Sequence, residues 1–161
     1  MASSNMIADM TTVIANGPTS ATTALATANS GPIMDYAGNT NEVLLGLKET
    51  SYLIGKVITD TDAGDPSLTN LNAIQAALTG GGSPTTTAIT AMTSVINAGP
   101  TSATVAKTTN PAGPIMDYVG NCYTLRKKLQ QCRYTINYVI TDTASGDPSL
   151  TTLQGVQSTL S

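Results

Sequence analysis

The sequence predicts an all-α fold. The expected plan is a tandem duplication of a helical unit of about 80 residues. Each unit has a short helix, a long heptad-patterned helix and a short helix, and the two copies pair as a pseudo-two-fold helical bundle. Three observations carry this expectation. Sliding the 161-residue chain by 82 aligns residues 1–79 with 83–161 without a gap, at 38 identities in 79 pairs. GPIMDYAGN at Gly31–Asn39 returns as GPIMDYVGN at Gly113–Asn121, and VITDTDAGDPSLT at Val57–Thr69 returns as VITDTASGDPSLT at Val139–Thr151. Each copy holds a long apolar stripe with steps of three and four, and no stretch shows the competing alternation of a strand.

In the first element, Ile7, Met10, Val13 and Ile14 correspond to Ile89, Met92, Val95 and Ile96. That spacing places them on one face of a helix. Gly17-Pro18 and Gly99-Pro100 end it, by a flexible residue after the last turn and by a missing N–H donor. The stretch Thr19–Ser30, whose apolar content is mostly alanine, reads equally as a loop or a short helix.

The long helix is expected from Pro32 to about Thr59, roughly 42 Å at 1.5 Å per residue. Pro32 suits the first helical position, and Asp35 then falls in the first turn, where the helix dipole favours an anion. The stripe is Ile33, Tyr36, Thr40, Val43, Leu47, Thr50, Ile54 and Val57. Its counterpart is Ile115, Tyr118, Cys122, Leu125, Leu129, Cys132, Ile136 and Val139. Gly38-Asn39 and Gly120-Asn121 interrupt helix-forming sequence, and an interior glycine costs about 1 kcal/mol relative to alanine. The heptad phase runs through both pairs, so one continuous helix is expected, with these glycines as the place for a kink.

Asp65-Pro66 and Asp147-Pro148 then announce a helix start, with Asp as N-cap and Pro in the first turn. Leu68, Leu71, Ile74 and Leu78 match Leu150, Leu153, Val156 and Leu160 along it. The domain plan is therefore residues 1–79 as the first repeat, 80–87 as a Gly/Ser/Thr linker and 88–161 as the second repeat. A six-residue Gly-rich tether spans roughly 13 Å, which lets the two copies lie side by side.

Composition narrows function. The chain has no His, Trp or Phe, and only 11% of its residues are charged. Histidine-based acid–base catalysis, Ser-His-Asp and Cys-His triads and histidine metal ligands are excluded. A net charge of −3 argues against nucleic acid as a partner. The N-terminal MASSNMIADM has no basic stretch followed by an apolar one, so no secretory signal is expected. No apolar run approaches the ~18–20 residues of a membrane span.

Four candidate features remain. Cys122 and Cys132 both lie on the stripe, ten residues apart, too far along one helix to bridge each other. They read as small core residues, with Thr40 and Thr50 as their twins; an interchain disulfide or a thioether-linked chromophore is the functional alternative. Asp60, Asp62 and Asp65 around Gly64 superficially suggest a Ca²⁺ loop. The position that should carry the bidentate Glu is Leu71, and the second copy replaces Asp62 with Ala144, so a polar connector is expected. Arg126, Lys127, Lys128 and Arg133 form the one basic cluster, where the first copy has Leu44, Leu45, Gly46 and Ser51. Finally, residues 1–82 carry seven acids and two bases, net −5, and residues 83–161 carry three acids and five bases, net +2, summing to −3.

Halves of opposite charge can dock head to tail on neighbouring copies. The expectation is thus a non-enzymatic structural or assembly protein whose partners are copies of itself or a larger protein shell. A virion component such as a capsid decoration or cement protein, or an extracellular assembly, is the expected setting. No cofactor, metal or catalytic residue is assigned. The candidate interface is Leu44, Leu45, Arg126, Lys127, Lys128 and Arg133. Leu44 and Leu45 are either apolar anchors for such a contact or part of their own chain's packing. The alternative is a helical module holding a small molecule or chromophore between the long helices, lined by Tyr36, Tyr118, Tyr134 and Tyr138. An enzyme would have to rely on carboxylates such as Asp35 and Asp117, which otherwise read as charge in a first helical turn.

Overall fold

In the computed structural model, which describes residues 1–23, 35–81, 86–105 and 117–161, every regular element is a helix. They are α1 (Met6–Asn16), α2 (Tyr36–Asp60), α3 (Ser67–Thr79), α4 (Ala88–Ala98), α5 (Tyr118–Asp142) and α6 (Ser149–Leu160). The bounds of α4 and α5 are those of α1 and α2 displaced by 82.

α1 and α4 end as the sequence predicts. Gly17 and Gly99 take left-handed φ values of 63° and 65°, a conformation glycine adopts without a Cβ penalty. Their N–H groups close back on the carbonyls of Val13 and Ile14, and of Val95 and Ile96.

The long helices start later than expected. Asp35 is not inside the first turn. It is the N-cap of α2, and its Oδ1 accepts the Gly38 N–H at 2.7 Å; Asp117 caps α5 through Gly120 in the same way. Asp35 itself is extended, with ψ 174°, and its side chain fixes the helix start at the next residue because it satisfies a backbone donor that would otherwise lack a partner. Pro32, Ile33 and Ile115 lie outside the described residues, as do part of the Thr19–Ser30 stretch and residues 82–85 of the expected linker. Gly38 and Gly120 consequently stand in a first turn rather than an interior. Each long helix is one unbroken run of 25 residues, about 37 Å.

Every described member of the heptad stripe is buried, from Tyr36 to Val57 in α2 and from Tyr118 to Val139 in α5. The two threonines on the α2 stripe satisfy their hydroxyls within the helix. Thr40 donates to the Ala37 carbonyl at 2.8 Å and Thr50 to that of Gly46 at 2.7 Å.

α2 and α5 make the most extensive helix–helix contact. They run antiparallel, since Lys128 meets Glu49 and, four residues on, Cys132 approaches the Val43 carbonyl. The short helices cross between the halves. α1 packs on α2 and α6, and α4 packs on α5 and α3. Met6, Met10, Val43, Leu47, Leu71, Met92, Leu125, Leu129 and Leu153 therefore belong to one apolar core. At roughly 1.5–3 kcal/mol per buried large side chain, that shared core holds the halves together.

Candidate functional site

Two regions concentrate chemistry. The first is the pair of polar junctions where a long helix starts beside the connector of the other half. In one, Asp65 follows α2 and turns inward, 3% exposed. Its Oδ1 accepts the Ser67 N–H at 2.8 Å, starting α3, and its Oδ2 accepts the Thr101 hydroxyl at 2.9 Å. Thr104 accepts the Asp62 N–H at 3.0 Å. The other junction carries the same bonds. Asp147 accepts from Ser149 and from Thr19, and Thr22 accepts the Ala144 N–H at 2.9 Å. Burial raises each carboxyl, but the Ser67, Thr104 and Thr101 hydrogen bonds outweigh it and hold Asp65 below the usual carboxylate range; Ser149, Thr22 and Thr19 do the same for Asp147. Asp65 is thus committed to the fold, and the described residues contain no group of three His, Cys, Asp or Glu able to hold a metal ion.

Tyr36 and Tyr118 point into these junctions, each 1% exposed. Their hydroxyls have no hydrogen-bond partner of normal geometry, although Thr143 and Ser149 border Tyr36, and Thr61 borders Tyr118. Burial pushes the Tyr36 phenol up and the Tyr118 phenol up to about 12. Because α2 and α5 are antiparallel, the two tyrosines occupy opposite ends of the bundle. Tyr134 and Tyr138 are elsewhere again, on the solvent side of α5, with their hydroxyls 2.9 Å apart and rings in an edge-to-face pair. The four tyrosines considered together in the sequence do not converge. Asp35 and Asp117 do not converge either, since they cap the two opposite helix starts.

The second region is the outward side of the α2–α5 pair. A groove of about 400 Å³ runs between the helices, lined by Glu42, Leu45, Glu49, Lys128, Gln131 and Tyr134 among others. Gly46 and Cys132 form its floor, where α2 and α5 come close. Both cysteines are buried, and burial pushes both thiols up to about 12. Such thiols are poor nucleophiles and pack as small apolar groups.

The candidate interface residues separate on this surface. Leu44 is half-buried against its own core, whereas Leu45, one residue on, is 53% exposed. Lys128 pairs with Glu49 across the groove, and Arg126 lies over the Tyr123 ring at 5.8 Å. Lys127 and Arg133 are exposed. At about 100° per residue, Arg126, Lys127 and Lys128 fan around α5 instead of forming one basic patch. Beside Tyr134, which the ligand-holding alternative named, this side exposes two tyrosines that no sequence expectation included, Tyr52 and Tyr123. Tyr52 is 61% exposed and Tyr123 and Tyr134 are each 52% exposed. Their signal was present: Tyr52 and Tyr134 are an identical pair at the repeat offset, off the heptad stripe.

No described helix is long and apolar enough to cross a membrane. No protein-family model, curated protein or solved structure matches this chain.

Proposed function

We propose that this chain is a non-enzymatic structural protein, a pseudo-two-fold pair of duplicated units that associates with copies of itself or with a larger protein shell. The observation that carries the reading is the outward side of α2 and α5, where Leu45, Tyr52, Tyr123 and Tyr134 stand exposed on rigid helices among charged neighbours. Exposed aromatic side chains on a rigid surface are characteristic of interface anchors. The pseudo-two-fold arrangement is supported by the helix bounds repeating at 82 and by the reciprocal threonine bonds to Asp62, Asp65, Ala144 and Asp147. The proposed setting is a virion, as a capsid decoration or cement protein; its support is compositional, resting on the low charge content and the oppositely charged halves.

Light scattering of the purified protein across a salt and concentration series tests association. Assemblies heavier than the 16.4 kDa chain, dissociating as salt rises, are expected. A monomer under every condition would overturn self-association.

The groove favours one second reading. Its volume falls in the range of small-molecule sites, about 300–1,000 Å³, and it lies between the two long helices, where a ligand would be held. Native mass spectrometry of freshly purified protein tests this reading, with a bound mass above that of the bare chain as the supporting result.

A further inference from the structure

We infer that the outward face of the α2–α5 pair is a self-docking surface, on which a second copy of this chain lies face to face with its α2 over the first copy's α5. This rests on the assembly reading and supplies its geometry. On α2, Leu45, Glu49, Tyr52 and Lys56 follow one another at spacings of four, three and four, along one line of the helix, with Lys56 Nζ 5.5 Å over the Tyr52 ring. On α5, Tyr123, Lys127 and Tyr134 form the matching line. The first line carries one acid and one base, the second a base and no acid, and the groove runs between them.

A second copy facing this surface can be related by a two-fold axis in the interface in two ways. An axis across the helices lays α2 on α2 and brings Glu49 to its own copy, acid against acid. An axis along the helices lays α2 on α5. Glu49 is already level with Lys128. This second arrangement therefore keeps it level with Lys127 of the second copy. Leu45 then faces Tyr134 of the second copy, and Tyr52 faces Tyr123. The shapes of the two dockings are similar, because the backbone repeats at 82. Charge is the term that separates them: the first sets Glu49 against Glu49 and Lys127 beside Lys127, the second sets Glu49 against Lys127, and opposite charges a few ångströms apart favour the second. Each contact occurs twice across the axis.

The test uses full-length single variants, Glu49→Cys and Lys127→Cys, both at exposed positions. Cys122 and Cys132 are buried and stay out of the reaction. The two variants are mixed, oxidised with diamide and separated without reductant. A covalent dimer of twice 16.4 kDa from the mixture, and from neither variant alone, is the expected result. A dimer from Glu49→Cys alone would place α2 on α2 and overturn the inference. No covalent dimer, with light scattering still showing assemblies, would overturn this face while the assembly reading stands. A monomer throughout would remove both.

Discussion

Gly46 of α2 lies directly against Cys132 of α5: a Cβ built on Gly46 would sit 2.6 Å from Cys132 Sγ. The repeat partners of these two positions are Lys128 and Thr50. Both positions thus differ from the residues 82 away as a matched pair, with no side chain set against a thiol on one side of the crossing. This explains a glycine on the α5-facing side of a helix.

The pair predicts a sign reversal. Gly46→Ala gains about 1 kcal/mol of helix propensity. It also forces an overlap that costs about 1–3 kcal/mol in a close-packed site, so a net loss of stability is expected. In a Cys132→Ala background the overlap is gone, and the same substitution should stabilise by up to about 1 kcal/mol. Urea unfolding of the four variants measures both; a loss of equal size in the two backgrounds would refute the contact.

Asp65 and Asp147 set the acid limit. Their folded pKa values lie below the unfolded value, so the stability they add is present above about pH 4 and is lost as pH falls through the folded value. Urea midpoints should therefore fall steadily below about pH 4. Asp65→Asn and Asp147→Asn should each cost about 1–3 kcal/mol near neutral pH, because an amide cannot accept from both Ser67 (or Ser149) and the threonine. The double variant should show a shallower fall on acidification.

Thr22 and Thr104 offer a comparison of the two ends. Valine at either position keeps the shape and strips an acceptor from a backbone N–H, that of Ala144 or Asp62. Each change should cost about 1–2 kcal/mol, and equally. The junctions lie at opposite ends, so the costs should add. Clearly unequal losses in calorimetry would argue against equivalent ends.

The tyrosines act in the other direction. Tyr36→Phe and Tyr118→Phe remove buried hydroxyls that have no partner, and each should leave stability unchanged or raise it by about 1 kcal/mol. The wild-type phenols also set an alkaline limit. With both folded pKa values raised above the unfolded value near 10, that of Tyr118 to about 12, their stability is full below about pH 10 and is lost as pH rises through the folded values. The double Phe variant should hold its midpoint further into alkali.

The helices were legible in the sequence because their signals are local. The heptad stripe of Tyr36–Val57, the Gly-Pro stops and the Asp-Pro starts each act within a few residues. The start at Tyr36 was misread because two local signals compete there, proline geometry at Pro32 and side-chain capping by Asp35. The junctions were not legible, since Thr19 and Asp147 lie 128 residues apart and neither belongs to an apolar period. The basic run looked like a patch because adjacency in sequence is not adjacency on a helix. Lys128 faces Glu49 while Arg126 lies over Tyr123.

The bonds that close the bundle also govern how the chain reaches it. The Ser3 N–H meets Thr159 Oγ1 across 156 residues, and the Ala144 N–H meets Thr22 across 122. Helical proteins fold quickly when their contacts are short in sequence, and rates fall as mean separation grows. This one carries the topology of a slower folder in helical form. During synthesis the connector Asp62–Asp65 must wait for Thr101 and Thr104 to emerge, and Ser3 waits for Thr159. The first half leaves the ribosome with its helices written and its interior unfinished.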